Sequence, residues 1–192
     1  FTILNSTIDI PDLIKKAIKE EMPAVGLTDT NNLMAAFQFI TAVNEYNKKE
    51  NTAVEKGEKP TPQNLKAILG CEMYICRDYT DKTVKDNGFL VPFIAKNKTG
   101  YQNLSMLSSI SFTEGFYYVP RINKELILKH KEGLIVTTGG LTGEIPSLLL
   151  NMGEQQAEEA IVWLKTHFGD DFFIELNRHG LPEEDFLNVF LL

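Results

Sequence analysis

Apolar and polar positions follow two periods along this chain, and the switches between them outline its elements. PDLIKKAIKEEM (11–22) sets Leu13, Ile14 and Ile18 on one stripe behind Pro11, which predicts a helix. AVGLTD (24–29) is a short apolar run and predicts a strand, and LMAAFQFITAVNEYNKK (33–49) predicts a helix with a broad apolar face. The stretch NKKENTAVEKGEKPTPQNLK (47–66) carries Lys, Glu, Asn and Pro with little to bury, and predicts an exposed, mobile insertion. AILGCEMYICRD (67–78) predicts a strand with a bulge at Gly70. YTDKTVKDNG (79–88) predicts a turn ending in Asn87-Gly88, and FLVPFIA (89–95) a strand made irregular by Pro92.

Further on, helical spacing covers 98–112, an extended run covers 116–122, and a short helix covers 123–130. GLIVTT (133–138) predicts a strand, followed by the turn GGLTGE. Helices are predicted at 145–152 and 154–168, the second closed by Gly169, and a last strand at 171–180. EEDFLNVFLL closes the chain as an amphipathic helix. Repeated strand-then-helix order argues for a parallel sheet or a βα barrel. No internal repeat or second domain shows, so 1–192 reads as a single domain. Both ends read as cut, because the chain opens on FTIL without Met and closes on Phe-Leu-Leu; a longer polypeptide is expected around it.

Composition narrows the function classes. The chain has 192 residues, 43% hydrophobic and 23% charged, which suits one globular domain with a sizeable core. A formal net charge of −7 argues against unaided binding to nucleic acid, which needs a positive surface. The longest apolar runs are short and lie mid-chain, well below the roughly 20 residues of a membrane span, and none reads as a signal peptide. Cys71 and Cys76 stand five apart in one strand-like run, on opposite faces, so they should not pair. Two free thiols fit a reducing cytoplasm.

Three strand ends carry polar groups. Asp29-Thr30-Asn31-Asn32 ends one, Glu72 lies within the second, and Asn177-Arg178-His179 ends another. Such ends converge on one face of a βα barrel, where carboxylates and a histidine could hold a divalent metal for phosphate-ester hydrolysis. The plainer reading makes Asp29 and Asn32 caps of the next helix, and Glu72 a rim or ion-pair residue on the side of Tyr74. His130 and His167 each lie in the last turn of a helix, where a partly cationic ring suits the dipole. No histidine pair at metal-binding spacing and no P-loop, G-x-S-x-G or Cys-x-x-Cys occurs. TTGGLTGE (137–144) reads as a tight turn, with a phosphate cradle as the weaker alternative.

Several runs resemble the PHP (polymerase and histidinol phosphatase) domain at the N-terminus of bacterial DNA polymerase III alpha subunits. They are MPAVGLTDTNNL, ILGCEMYIC, FIAKNKTGYQNLSML, GFYYVPRI, EGLIVTTGGLTGEIP and FFIELNRHGLPEE, in family order and over nearly the whole chain. The resemblance implies a distorted, TIM-like βα barrel, here incomplete at both ends, with a metal site at the strand ends and the polymerase core downstream. Metal-binding members carry a His-x-His pair that would precede Phe1, and a closing Asp-x-His that would fall beyond Leu192. Where they read Thr-Asp-His-Gly-Asn, this chain reads Thr28-Asp29-Thr30-Asn31-Asn32. Glu72 matches a family ligand and is kept, whereas Leu90 stands for a ligand histidine and Gly140 for a cysteine. Arg178 and His179 match an Arg-His-Gly stretch lining the same region, and Asn32 is a further pocket-lining candidate.

The resemblance thus implies a degenerate site, with vestigial positions Asp29, Thr30, Glu72, Leu90, Gly140 and His179, no resident metal and no catalytic residue in this chain. It implies a scaffold that supports the polymerase core and, in some branches, docks a proofreading exonuclease. One alternative is an active metal-dependent phosphoesterase or 3'-5' exonuclease, using zinc or manganese with Asp29, Glu72 and His179. Another is a hydrolase of the histidinol-phosphatase kind. Magnesium would belong to the parent polymerase. The implied partners are downstream domains of the same chain, an exonuclease and other replisome subunits, and DNA through the parent protein, in the cytoplasm and away from membranes.

Overall fold

A computed structural model describes residues 6–58 and 63–192. Helix α1 (Ile10–Lys19) leads into strand β1 (Ala24–Thr30), helix α2 (Ala36–Glu55), and strands β2 (Lys66–Ile75) and β3 (Phe89–Ala95). Then come α3 (Lys98–Thr113), β4 (Arg121–Ile122), α4 (Lys124–Lys129) and β5 (Leu134–Thr137). Helices α5 (Glu144–Asn151) and α6 (Glu154–Phe168), strand β6 (Phe172–Phe173) and helix α7 (Pro182–Leu191) complete the order.

The strands form one sheet in the order β1-β2-β3-β5-β6. β1 and β2 run parallel, as do β5 and β6, but β3 is antiparallel to both of its neighbours. Of the two expectations, a parallel sheet or a βα barrel, the first is corrected to a mixed sheet, while an incomplete barrel is consistent with the structure. The cause of the mixed order is the connection after β2: residues 76–88 form a loop with no helix to carry the chain across, so β3 returns alongside β2. β1 leaves its partner at the pair Thr30↔Glu72, and β4 takes over the same edge of β2 at Tyr74↔Arg121. The architecture is an open, mixed α/β sheet with seven helices among the described residues, consistent with an incomplete βα barrel.

Alternation along the strands divides the sheet into two faces. Cys71, Met73, Ile75, Val91, Phe93 and Val136 point to the main core, where Leu104 and Leu107 of α3, Ile145 of α5, Leu164 of α6 and Leu187 of α7 meet them. A second cluster joins Ile14 of α1, Val25 of β1, and Phe39 and Val43 of α2. The other face, with Thr30, Glu72, Tyr74, Leu90 and Thr137, is only half-buried. Gly70 sits in unbroken register between Thr28 and Ile94, so the predicted bulge is absent. A Cβ at Gly70 would press within 2.5 Å of the Phe93 carbonyl oxygen, which accounts for the glycine. Pro92 keeps β3 regular against β2, and the pairing with β5 begins only at Phe93, where a ladder donor is available.

Two further expectations are corrected. The first part of the predicted insertion continues α2 to Glu55, and its far end is docked rather than loose. The Asn47 amide donates to the Leu65 carbonyl at 2.9 Å and its oxygen accepts the Leu65 N–H at 2.8 Å. The buried Glu50 carboxylate accepts the Gln63 N–H at 3.2 Å, and the Gln63 amide reaches the Ile18 carbonyl at 3.1 Å. Polar side chains hold this segment, so a hydrophobic pattern does not register it; residues 59–62 lie outside the described residues. The strand predicted over 171–180 pairs only at Phe172 and Phe173, and the remainder runs irregularly along the strand ends before α7.

Candidate functional site

The register lines up the strand-end groups. Thr30, Glu72 and Pro92 stand abreast on β1, β2 and β3, and Leu90 lies one alternation further along the same face. The Thr30 hydroxyl donates to a Glu72 carboxylate oxygen at 3.4 Å, a long bond. Burial raises the Glu72 pKa above the ordinary carboxylate range; the Glu175 charge adds to this, and the Thr30 bond opposes it.

Glu175 enters the face from the irregular segment after β6. The Thr137 hydroxyl donates to one of its oxygens at 2.9 Å and the Asn177 amide to the other at 3.3 Å. Its own N–H donates to the Thr138 hydroxyl at 2.9 Å. A Cβ added at Gly140 would meet the Asn177 amide nitrogen at 3.0 Å, so the glycine turn closes on the same group. Thr30, Glu72, Leu90 and Gly140 are thus brought to one face. Asn177, expected at a strand end, joins them, and so does Glu175, which the sequence reading left out. Their spacing by two in an extended run was the available signal, since it puts both on one side.

The other predicted residues go elsewhere. Asp29 is opposite Cys71 in the register, buried, and on the helix-covered face, so it does not share a site with Glu72. Burial, then the Asp29 and Glu72 charges, push the Cys71 thiol up to about 12; Cys71 and Cys76 are both buried, free thiols. Neither Asp29 nor Asn32 caps α2, which has Ala35 at that position. The Asn32 oxygen instead accepts the Met34 N–H at 3.0 Å, and its amide donates to the Thr30 carbonyl at 2.9 Å. Arg178 is exposed. His179 turns outward onto the buried carboxylate of Glu184, with 2.6 Å between ring Nδ1 and Oε1. The other Glu184 oxygen accepts the His179 N–H at 2.6 Å. The hydrogen bond and charge of Glu184 raise the His179 pKa, and the bond to His179 lowers that of Glu184.

Asn31 shapes the turn. It takes φ 60°, a left-handed conformation that Asn tolerates, at the position where the resemblance places glycine. Its N–H donates to the Glu72 carbonyl at 2.7 Å, its side-chain oxygen accepts the Tyr74 N–H at 3.2 Å, and its carbonyl accepts the Ser108 hydroxyl at 2.7 Å. The end of β1 is thereby pinned to β2 and α3.

A zinc or manganese centre wants several well-placed nitrogen, sulfur or carboxylate donors. Among the described residues no three His, Cys, Asp or Glu side chains gather closely enough to hold a metal ion. Leu90 and Gly140 supply no donor, Asp29 faces away, and His179 is engaged by Glu184. The described residues do not by themselves fit such a centre.

The mixed sheet, the helices over one face and the convergence of strand ends on the other describe a PHP-type α/β domain. The PHP domain profile matches residues 1–179, and the chain belongs to that family. It is 39% identical over 194 residues to the DNA polymerase III subunit alpha of Borreliella burgdorferi, covering 98% of this chain and 15% of that protein. It is 34% identical over 198 residues to the DNA polymerase III subunit alpha of Thermus aquaticus, covering 100% of this chain and 15% of the relative. The corresponding protein of Chlamydia trachomatis is 33% identical over 188 residues, with 96% of this chain and 14% of the relative covered. The chain therefore spans about one seventh of the length of these relatives. Among the described residues no helix is long and apolar enough to cross a membrane.

Proposed function

We propose that this chain serves as the PHP domain of a bacterial replicative DNA polymerase, without a resident metal, and that its work is to support the polymerase core. The observation that carries this reading is the donor set at the strand ends. Leu90 and Gly140 stand where the family places ligands, and the hydroxyl at Thr30 is spent on Glu72. Side-chain bonds take the place of metal coordination in tying the strand ends together, through Thr137 and Asn177 to Glu175. Each such bond contributes about 0.5–1.5 kcal/mol net, enough to hold a scaffold in shape without chemistry. In this reading DNA is reached through the parent polymerase, whose magnesium-dependent site lies outside this chain. A proofreading exonuclease and other replisome subunits are the further partners, and the cytoplasm is the compartment.

A second reading, a metal-dependent phosphoesterase or 3'-5' exonuclease, draws on the retained Glu72 and its neighbour Glu175. It needs donors from beyond this chain. Elemental analysis of the full-length protein, purified without chelator, separates the two. Zinc, manganese and iron well below one per chain are expected. Stoichiometric metal, with a manganese-dependent phosphodiesterase activity lost in Glu72→Ala, would replace the first reading with the second.

A further inference from the structure

The loop after β2 ends on Asn87-Gly88, the dipeptide in which a main-chain nitrogen most readily attacks a side-chain amide, because glycine puts no side chain in the way. The fold needs the glycine. Gly88 takes φ 68°, and a Cβ there would overlap the Ile75 carbonyl, just where Phe89 enters β3 opposite Ile75. Nothing comparable calls for the asparagine, whose Oδ1 is buried without a hydrogen-bond partner among the described residues. The attacking nitrogen is held away. The Gly88 N–H donates to Asp86 Oδ1 at 2.9 Å, and Asp86 Oδ2 accepts the Arg77 N–H at 2.9 Å. The Asp86 carbonyl accepts from the Arg121 guanidinium at 2.8 Å, so Asp86 is clasped through main chain and side chain together. Attack requires the Gly88 nitrogen to lose its proton and turn toward the Asn87 side chain. The Asp86 charge disfavours the first, and the packing of Gly88 against Ile75 opposes the second.

We infer that Asn87-Gly88 is a latent succinimide site, closed in the folded protein by Asp86 and Arg121, that converts a transient opening of this loop into a permanent one. When the loop opens, the Gly88 nitrogen bonds to the Asn87 side-chain carbon, the bond to Nδ2 breaks, and ammonia leaves with the proton from Gly88. Water then opens the ring at either carbonyl, giving aspartate or isoaspartate. Isoaspartate adds a methylene to the main chain just ahead of β3. Aspartate sets a charge beside Asp86 where an unpartnered oxygen was buried. Neither product suits the closed loop.

Timed peptide mapping of the full-length protein, with isoaspartate read by enzymatic methylation, tests this. Conversion at Asn87 in the native protein is expected to be at least about tenfold slower than in guanidinium, since it waits on local opening. Asp86→Ala should raise the native rate about tenfold, each variant being normalised to its own rate in guanidinium. Leu164→Ala, which leaves a cavity in the main core away from the loop, serves as a general destabiliser. Equal rates in the native and unfolded parent overturn the proposal, as does a native Asp86→Ala rate no faster than the parent's. So does acceleration by Leu164→Ala as large as that by Asp86→Ala, which would mean that only global unfolding exposes the site. Asn87→Asp builds one product directly and should lower the urea midpoint; an unchanged midpoint also overturns the proposal. None of these readouts depends on metal content, so the inference stands or falls apart from the proposed function.

Discussion

Replacing Arg121 with methionine tests how the loops around the strand ends are braced, since Arg121 lies beside Tyr74 on that face. The guanidinium is fully buried, and its four hydrogen bonds all go to backbone carbonyls. Those of Asp86 and Asp81 accept at 2.8 Å, Gly115 at 3.2 Å and Tyr79 at 3.4 Å. One planar fork thus gathers the loop after β2 and the turn before β4, with the Tyr117 ring 5.3 Å from its carbon. The two short bonds are charge-assisted and worth about 1.5–3 kcal/mol each, and the two long ones add little. Methionine keeps the apolar stem contacts, and water can reach the part-buried carbonyls, so the net loss should be about 3–5 kcal/mol. Against a typical total of about 5–15 kcal/mol this is a large fraction. Urea unfolding followed by the fluorescence of Trp163, the chain's one tryptophan, reads it. With a slope of about 2–3 kcal/mol per molar, the midpoint should fall by about 1–2 M. Arg121→Lys places one compact ammonium where the fork was, reaches fewer carbonyls and should lose about half as much. A midpoint for Arg121→Met within about 0.3 M of the parent would show that water replaces these bonds without cost and would refute the reasoning.

Two smaller perturbations follow from the same geometry. Asn31→Val forces a β-branched residue to φ 60° and orphans the Tyr74 N–H, for about 2–5 kcal/mol together, whereas Asn31→Gly loses only the side-chain bond. Thermal melts should rank Asn above Gly above Val, and equal stability of Gly and Val would contradict the strain argument. The His179–Glu184 pair predicts a pH window. Glu184, held below its ordinary 4.5, contributes stability above that value and loses it as pH falls through its lowered pKa. His179, held above its ordinary 6.5, contributes fully below that value and loses it as pH rises through its raised pKa. The difference in urea midpoint between the parent and His179→Gln should therefore peak between pH 4.5 and 6.5 and shrink by pH 9; a difference that is flat with pH would dismiss the ion pair.

Much of this fold is legible in local pattern. β1, β3, α3, α5 and α6 fall within a residue or two of where apolar periodicity puts them, because each buries one face and its spacing records that face. The direction of β3 was not legible, since an alternating strand reads the same either way and only the helix-free loop before it decides. The docking of 63–65 on α2 was hidden because Asn47, Glu50 and Gln63 do it with polar atoms. At the site, the sequence alone showed that Leu90 and Gly140 offer no side-chain donor in any fold.

What the sequence could not decide was which groups meet. Asp29 and Thr30 are neighbours in the chain, yet the parity of the strand sends one to the core beside Cys71 and the other to Glu72. Glu175 reaches the same face from more than a hundred residues away, because β6 pairs with β5 and the chain then turns across the strand ends. Side-chain chemistry is fixed residue by residue, so the sequence determined what each position can do. Proximity depends on register and on contacts between distant segments, so only the tertiary structure decided which positions do it together.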